Sequence, residues 1–83
     1  MKDYHINIFY SEEDEAYIAD IPDLKYCSAI GENSEQALHE VILAKTAWLE
    51  AAKAENKTIP QPRYRPLFIN LLHKNYGRNK SLL

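Results

Sequence analysis

Hydrophobic and polar residues alternate along the first third of the chain. In residues 4–10 every second side chain is aromatic or β-branched, and this period of two predicts a β-strand. The other face of that segment carries His5, Asn7 and Phe9. After the polar residues 11–14 the same period returns in residues 16–21, so the two segments predict an antiparallel hairpin. Pro22 ends the second strand because it has no amide hydrogen for a sheet, and residues 26–30 predict a short third strand.

The period changes from two to that of a helix after Gly31. Asn33 can cap a helix, and Gln36 can return a hydrogen bond to the amide of the cap. Apolar residues then recur at spacings of three and four, which predicts a helix from residue 34 to about 55 that stops at Asn56. We expect its larger apolar side chains to lie against the sheet: Leu38, Val41, Ile42, Trp48 and Leu49.

These patterns predict one α+β domain over residues 1–62, a three-stranded antiparallel meander with one long helix packed on it. Residues 63–83 form a basic C-terminal extension. Within it the apolar positions of residues 66–76 favour a short second helix, and a strand that begins near Arg63 is the alternative. The final residues, 78–83, are expected to be loose.

Charge is distributed unevenly along the chain. All twelve acidic residues lie in residues 3–55, and four lysines up to residue 55 leave a net charge of −8; residues 56–83 contain six Lys or Arg and no acid, giving +6. In one interpretation the basic extension packs back on the acidic body. In the other, the body suits a basic partner while the extension contacts phosphates. The first is favoured, because six charges spread over 28 residues do not form a compact patch.

The sequence contains no recognisable catalytic or metal-binding set. A lone cysteine in a strand, here Cys27, is typical of a small buried hydrophobic residue rather than a nucleophile. The histidines lack paired spacing, and no second thiol is present for zinc: they are His5, His39 and His73. We therefore expect no enzyme activity, no metal and no cofactor. A single cysteine also fits a reducing cytoplasm.

Carboxylates and aromatic residues carry two further candidate chemistries. Asp20 and Asp23 could pair on a metal, but the other available carboxylates, residues 12–15, belong to a turn and are more simply solvated. Nine aromatic residues could stack on bases, although acids around a tyrosine-lined strand would repel phosphates. The amino terminus has no apolar signal segment, and no run is long enough to span a membrane, which predicts a cytoplasmic protein.

Three stretches in this order resemble the HicB antitoxin family. Residues 12–19 (EEDEAYIA) resemble its acidic hairpin, which is followed by an aromatic residue and an alanine. Residues 21–38 contain its Ile-Pro-Asp-Leu element, Cys27-Ser28-Ala29, Gly31 and the helix start. Trp48-Leu49 and residues 59–62 (IPQP) complete the resemblance.

The resemblance implies a core similar to a partial ribonuclease H fold without that enzyme's catalytic carboxylates. Members of the family bind over the active surface of a small RNA-targeting toxin, HicA, and commonly form dimers or larger oligomers. Many also carry a DNA-binding domain after this core. Here only 21 residues follow Pro62, too few for such a domain, so we expect no operator binding by this chain alone. The usual Pro-Gly of the turn is Lys25-Tyr26, so we expect its geometry to differ.

These observations predict a non-catalytic antitoxin-like protein that binds a small basic HicA-like toxin. The expected partner-binding residues are five carboxylates that provide charge complementarity and one aromatic anchor: Glu12, Glu13, Asp14, Asp20, Asp23 and Tyr17. The alternatives are a nucleic-acid-binding regulator that acts through the basic extension and a stand-alone oligomeric scaffold. So short a chain without a disulfide also predicts a homodimer or a higher oligomer.

Overall fold

Three strands followed by one long helix form the protein in the computed structural model, which describes residues 3–65. The strands are β1 (Asn7–Ser11), β2 (Ala16–Asp20) and β3 (Ser28–Gly31), and the helix is α1 (Ser34–Ala54). The sheet has the order β1-β2-β3, and both pairs are antiparallel. The predicted α+β meander with one helix is therefore confirmed. The predicted second helix over residues 66–76 lies outside the described residues. For the alternative, a strand that begins near Arg63, the described residues 63–65 form no strand.

The strand registers assign the side chains to two faces of the sheet. Ile8 lies opposite Ala19, which in turn lies opposite Ala29. Ala19 is fully buried in the cluster that includes Ala37 and Val41 of α1, so these positions form the face that α1 covers. The alternate positions form the opposite face, which we call the open face: Asn7, Phe9, Ser11, Ala16, Ile18, Asp20, Ser28 and Ile30.

The first strand is shorter in the structure than its apolar pattern predicts. Tyr4 and Ile6 precede β1, yet Tyr4 is buried and its hydroxyl donates a hydrogen bond to the carbonyl of Pro60. Ile8 and Tyr10, which share the predicted face, are 38% and 51% exposed. The reason is that α1 packs most extensively against β3 and least against β1.

Both ends of α1 use the residues that the sequence indicates. The Asn33 side chain accepts a hydrogen bond from the amide of Gln36 at 2.8 Å. The Gln36 side chain instead accepts from the amide of Glu32, one residue before the predicted donor. At the other end Asn56 has a φ of 58°, which confirms the predicted left-handed stop.

The stripe of α1 that faces the sheet differs from the predicted one. Val41 is fully buried, while Leu38 and Ile42 are 37% and 41% exposed, so their predicted burial is wrong. Trp48 and Leu49 pack against the core but remain partly exposed. The residues of α1 that lie in this core or pack against it begin with a small side chain: Ala37, Val41, Ala44, Trp48 and Leu49.

Gly31 explains why a small residue, Ala37, begins the contact between α1 and the sheet. A Cβ built on Gly31 would lie 2.5 Å from the backbone nitrogen of Ala37 and 2.9 Å from the carbonyl carbon of Gln36. Both distances are shorter than a carbon atom tolerates. The first turn of α1 therefore rests directly on the backbone of β3.

We expect Gly31→Ala to lower the free energy of unfolding by about 1–3 kcal/mol, because the new methyl group must push α1 away from β3. Urea unfolding followed by the fluorescence of Trp48, the single tryptophan, measures this loss. Ser28→Ala on the exposed side of β3 is the control and should change stability by less than about 0.5 kcal/mol. Equal stability of the two variants would contradict the close approach.

Candidate protein-binding site

The predicted acidic residues of the first turn are brought together and exposed. Glu12, Glu13 and Asp14 connect β1 to β2, and all three side chains face solvent. The hydroxyl of Ser11 donates to a carboxylate oxygen of Asp14 at 2.8 Å, and the Asp14 amide donates back to that hydroxyl at 3.3 Å. These bonds order the turn, which presents three carboxylates at one end of the sheet.

Tyr17, the predicted anchor, lies on the sheet face that α1 covers. It is partly buried and packs against the core. Its ring meets that of Tyr10 edge to face, with centroids 5.2 Å apart. Tyr10 is 51% exposed, so it is the more accessible ring of this pair.

Asp20 and Asp23 lie at the other end of β2. Asp20 is on the open face, opposite Asn7 and Ser28. The strand β2, about 13 Å long at a rise of about 3.3 Å per residue, lies between Asp20 and the acidic turn. The six predicted residues therefore do not form one cluster.

Asp23 holds the end of the described chain. One carboxylate oxygen of Asp23 accepts hydrogen bonds from the backbone amides of Arg63 and Tyr64, both at 3.0 Å. These bonds, the Tyr64 amide first, hold the pKa of the Asp23 carboxyl below its usual range. The ring of Tyr64 lies 4.8 Å from that of His5, whose Nε2 is 2.8 Å from the side-chain oxygen of Asn7.

We expect the attachment of residues 63 and 64 to be lost at acid pH. Because folding depresses the pKa of Asp23, its contribution is present above the unfolded pKa and disappears as the pH falls through the folded pKa. Asp23→Ala should produce the same release at neutral pH, measured as faster amide exchange at Arg63 and Tyr64. Asp20→Ala is the control and should leave both amides protected. Unchanged exchange in Asp23→Ala would contradict this assignment.

A feature that sequence reasoning missed lies in the turn between β2 and β3. Tyr26 has a φ of 64° and is 91% exposed. Its neighbours Leu24 and Cys27 are buried, and the indole nitrogen of Trp48 donates to the Lys25 carbonyl at 2.9 Å. Tyr26 stands where the resemblance has a glycine, and it has the left-handed conformation that glycine favours.

We expect Tyr26→Gly to raise the free energy of unfolding by about 0.5–1 kcal/mol, because it relieves the cost of a left-handed non-glycine residue. Tyr26→Ala removes the ring but keeps Cβ, so it should stay within about 0.5 kcal/mol of the natural chain. Thermal and urea unfolding of both variants make the comparison. A glycine variant less stable than the alanine variant would contradict strain at this position.

The open face carries an aligned set of apolar side chains. Phe9 lies opposite Ile18, and Ile18 lies opposite Ile30, so one residue from each strand forms a row across the sheet. Phe9 is 51% and Ile30 is 53% exposed, while Ile18 is half-buried. We call these three residues the apolar row. The alternation of β1 already placed Phe9 on this face, but the register with Ile18 and Ile30 needed the structure.

Cys27 occupies the core rather than a reactive site. It is 2% exposed, as predicted for a small buried residue, and burial raises the pKa of its thiol. Within residues 3–65, no three His, Cys, Asp or Glu side chains are grouped so that they could hold a metal ion. In that same part of the chain, no helix has the length and apolar character needed to cross a membrane.

The fold and the site together define a small α+β domain with one helix-covered and one open sheet face. The chain is 36% identical over 53 residues to the UPF0150 protein ssl0259 of Synechocystis sp. (strain ATCC 27184 / PCC 6803 / Kazusa). The matched region covers 64% of this chain and 73% of that relative. The chain therefore belongs to the UPF0150 family. No family model and no solved structure matches it. The name of the relative gives a family and no activity.

Proposed function

We propose that this chain is a non-catalytic, antitoxin-type protein that neutralises a small basic, RNA-targeting toxin of the HicA type by covering its active surface. The observation that carries the proposal is an acidic domain with a sheet face that residues 3–65 leave uncovered. The described residues contain twelve acids and six Lys or Arg, a net charge of −6. A toxin that grips RNA needs basic side chains, which such a domain attracts.

The arrangement of the candidate nucleophile supports binding rather than catalysis. Cys27 is buried in the core, and a raised thiol pKa lowers the fraction of reactive thiolate. His5 is engaged with Asn7 and Tyr64, and His39 is exposed on α1. Neither arrangement resembles a base held against a nucleophile.

Carboxylates at an interface act mainly on the rate of association. Long-range attraction raises the encounter rate and is screened by salt, whereas buried anchors set the lifetime of the complex. The exposed acidic turn, Glu12 to Asp14, suits the first role. Self-association of the chain as a homodimer or higher oligomer stays a prediction.

Co-expression of the chain with a small basic toxin encoded by an adjacent reading frame tests the proposal. We expect a stable complex and rescue of growth. Neutralising the acidic turn with E12Q, E13Q and D14N should slow association by about tenfold at low salt and flatten its salt dependence. Stopped-flow binding at several salt concentrations measures both effects.

The control for that experiment removes the same number of charges from α1. The variant E35Q, E40Q and E50Q changes exposed carboxylates of the helix, so it should slow association less than the turn variant. A toxic neighbour that the natural chain neither binds nor neutralises would contradict the antitoxin function. Binding of nucleic acid that depends on the basic residues 63–83 would then favour the regulator alternative.

A further inference from the structure

We propose that the open face of the sheet is the docking surface, and that it receives a protein segment with basic side chains on either side of an apolar strip. This inference rests on the proposed function in taking a basic protein as the partner. It moves the apolar anchor from Tyr17, which lies on the covered face, to the apolar row of Phe9, Ile18 and Ile30.

The apolar row has the size and position of an interface centre. Adjacent strands lie about 4.8 Å apart, so a row across three strands spans about 10 Å, similar to the width of a helix. Isolated exposed apolar residues are ordinary on protein surfaces, but three aligned on neighbouring strands form one continuous patch. A few well-packed residues near the centre of an interface typically carry most of its binding energy.

The charges around this row determine which partner fits. None of the residues in β1, β2 and β3 is a lysine or an arginine. Asp20 lies at one end of the open face, and the acidic turn, Glu12 to Asp14, lies at the other. Lys45 of α1 pairs with Asp3 at 2.9 Å, and Lys57 pairs with Glu55 at 3.1 Å.

An apolar centre between acidic ends favours a basic protein over a second copy of this chain. Two copies joined face to face would bring Asp20 and the acidic turn of each molecule close to carboxylates of the other, and like charges in contact disfavour a complex. Phosphates of a nucleic acid would meet the same repulsion. A segment with Lys or Arg beside apolar residues satisfies both parts of the surface.

A titration of the labelled full chain with a defined peptide tests this surface. The probe is a short capped peptide in which lysine and leucine alternate, and the control peptide has glutamate in place of lysine. We expect the lysine peptide to shift the NMR signals of Phe9, Ile18 and Ile30 and the glutamate peptide to leave them unchanged. Failure of the lysine peptide to bind, or shifts confined to α1, would overturn the proposal.

Two matched variants test whether the peptide binds to the open face of the sheet or to α1. Ile30 and Leu43 are both 53% exposed, but Leu43 lies on α1. Ile30→Ser should weaken binding of the lysine peptide by about fivefold or more, whereas Leu43→Ser should leave it within about twofold. Similar losses in both variants, or no loss in Ile30→Ser, would overturn the proposal.

The open face could instead be occupied by the chain's own C-terminal extension or by a second copy of the chain, and each has a distinct NMR signature in the free protein. Contacts between the Phe9 ring and Leu67 or Phe68 would show that the chain covers its own open face. Concentration-dependent shifts at Ile18, with a doubled mass in sedimentation, would show a second copy there. Either result would overturn the proposal.

The same variants separate this inference from the proposed function. A toxin that binds the natural chain and Ile30→Ser equally well would retain the antitoxin function and overturn the docking surface. A chain that binds the lysine peptide on its open face, but neither binds nor neutralises a toxic neighbour, would retain the surface and overturn the function.

Discussion

The close approach of α1 to Gly31 is the constraint on which the rest of this structure depends. A Cβ on Gly31 would meet the backbone of Ala37 at 2.5 Å, so the helix begins in direct contact with β3. Helix and sheet can then meet through small side chains, with Ala19 and Ala37 both fully buried. Since the helix is held over β3 and β2, its flank at Leu38 and Ile42 and the outer strand β1 remain accessible.

The same arrangement makes the two faces of the sheet unequal. The chain returns from α1 past the beginning of β1, where the carbonyl of Pro60 accepts the Tyr4 hydroxyl and Asp23 holds residues 63 and 64. These contacts stabilise the helix-covered core and the end of the sheet at which β1 begins and β2 ends. Among residues 3–65, the apolar row on the opposite face stays accessible, next to carboxylates that suit a basic partner.

The sequence was sufficient to predict the order and type of the elements, because the apolar period changes from two to 3.6 between β3 and α1. It could not predict which helix stripe is buried. Ala37 and Leu38 differ by one residue, or about 100° around the helix, and the contact at Gly31 selects the smaller one. Similarly, the role of Asp23 depends on a tertiary contact with a residue forty positions away. The role of Tyr17 depends on its packing against the core that α1 covers. Local patterns do not contain such contacts.

Solvent accessibility of the apolar row in the free full chain decides whether the open face can receive a partner. A soluble gadolinium chelate broadens the NMR signals of side chains that it can approach. We expect Ile30 and Phe9 to broaden as strongly as Leu43, which is equally exposed, while Val41 stays sharp as the buried reference. Broadening of Ile30 and Phe9 as weak as that of Val41 would show that the face is already covered, and would contradict a docking surface open to a partner.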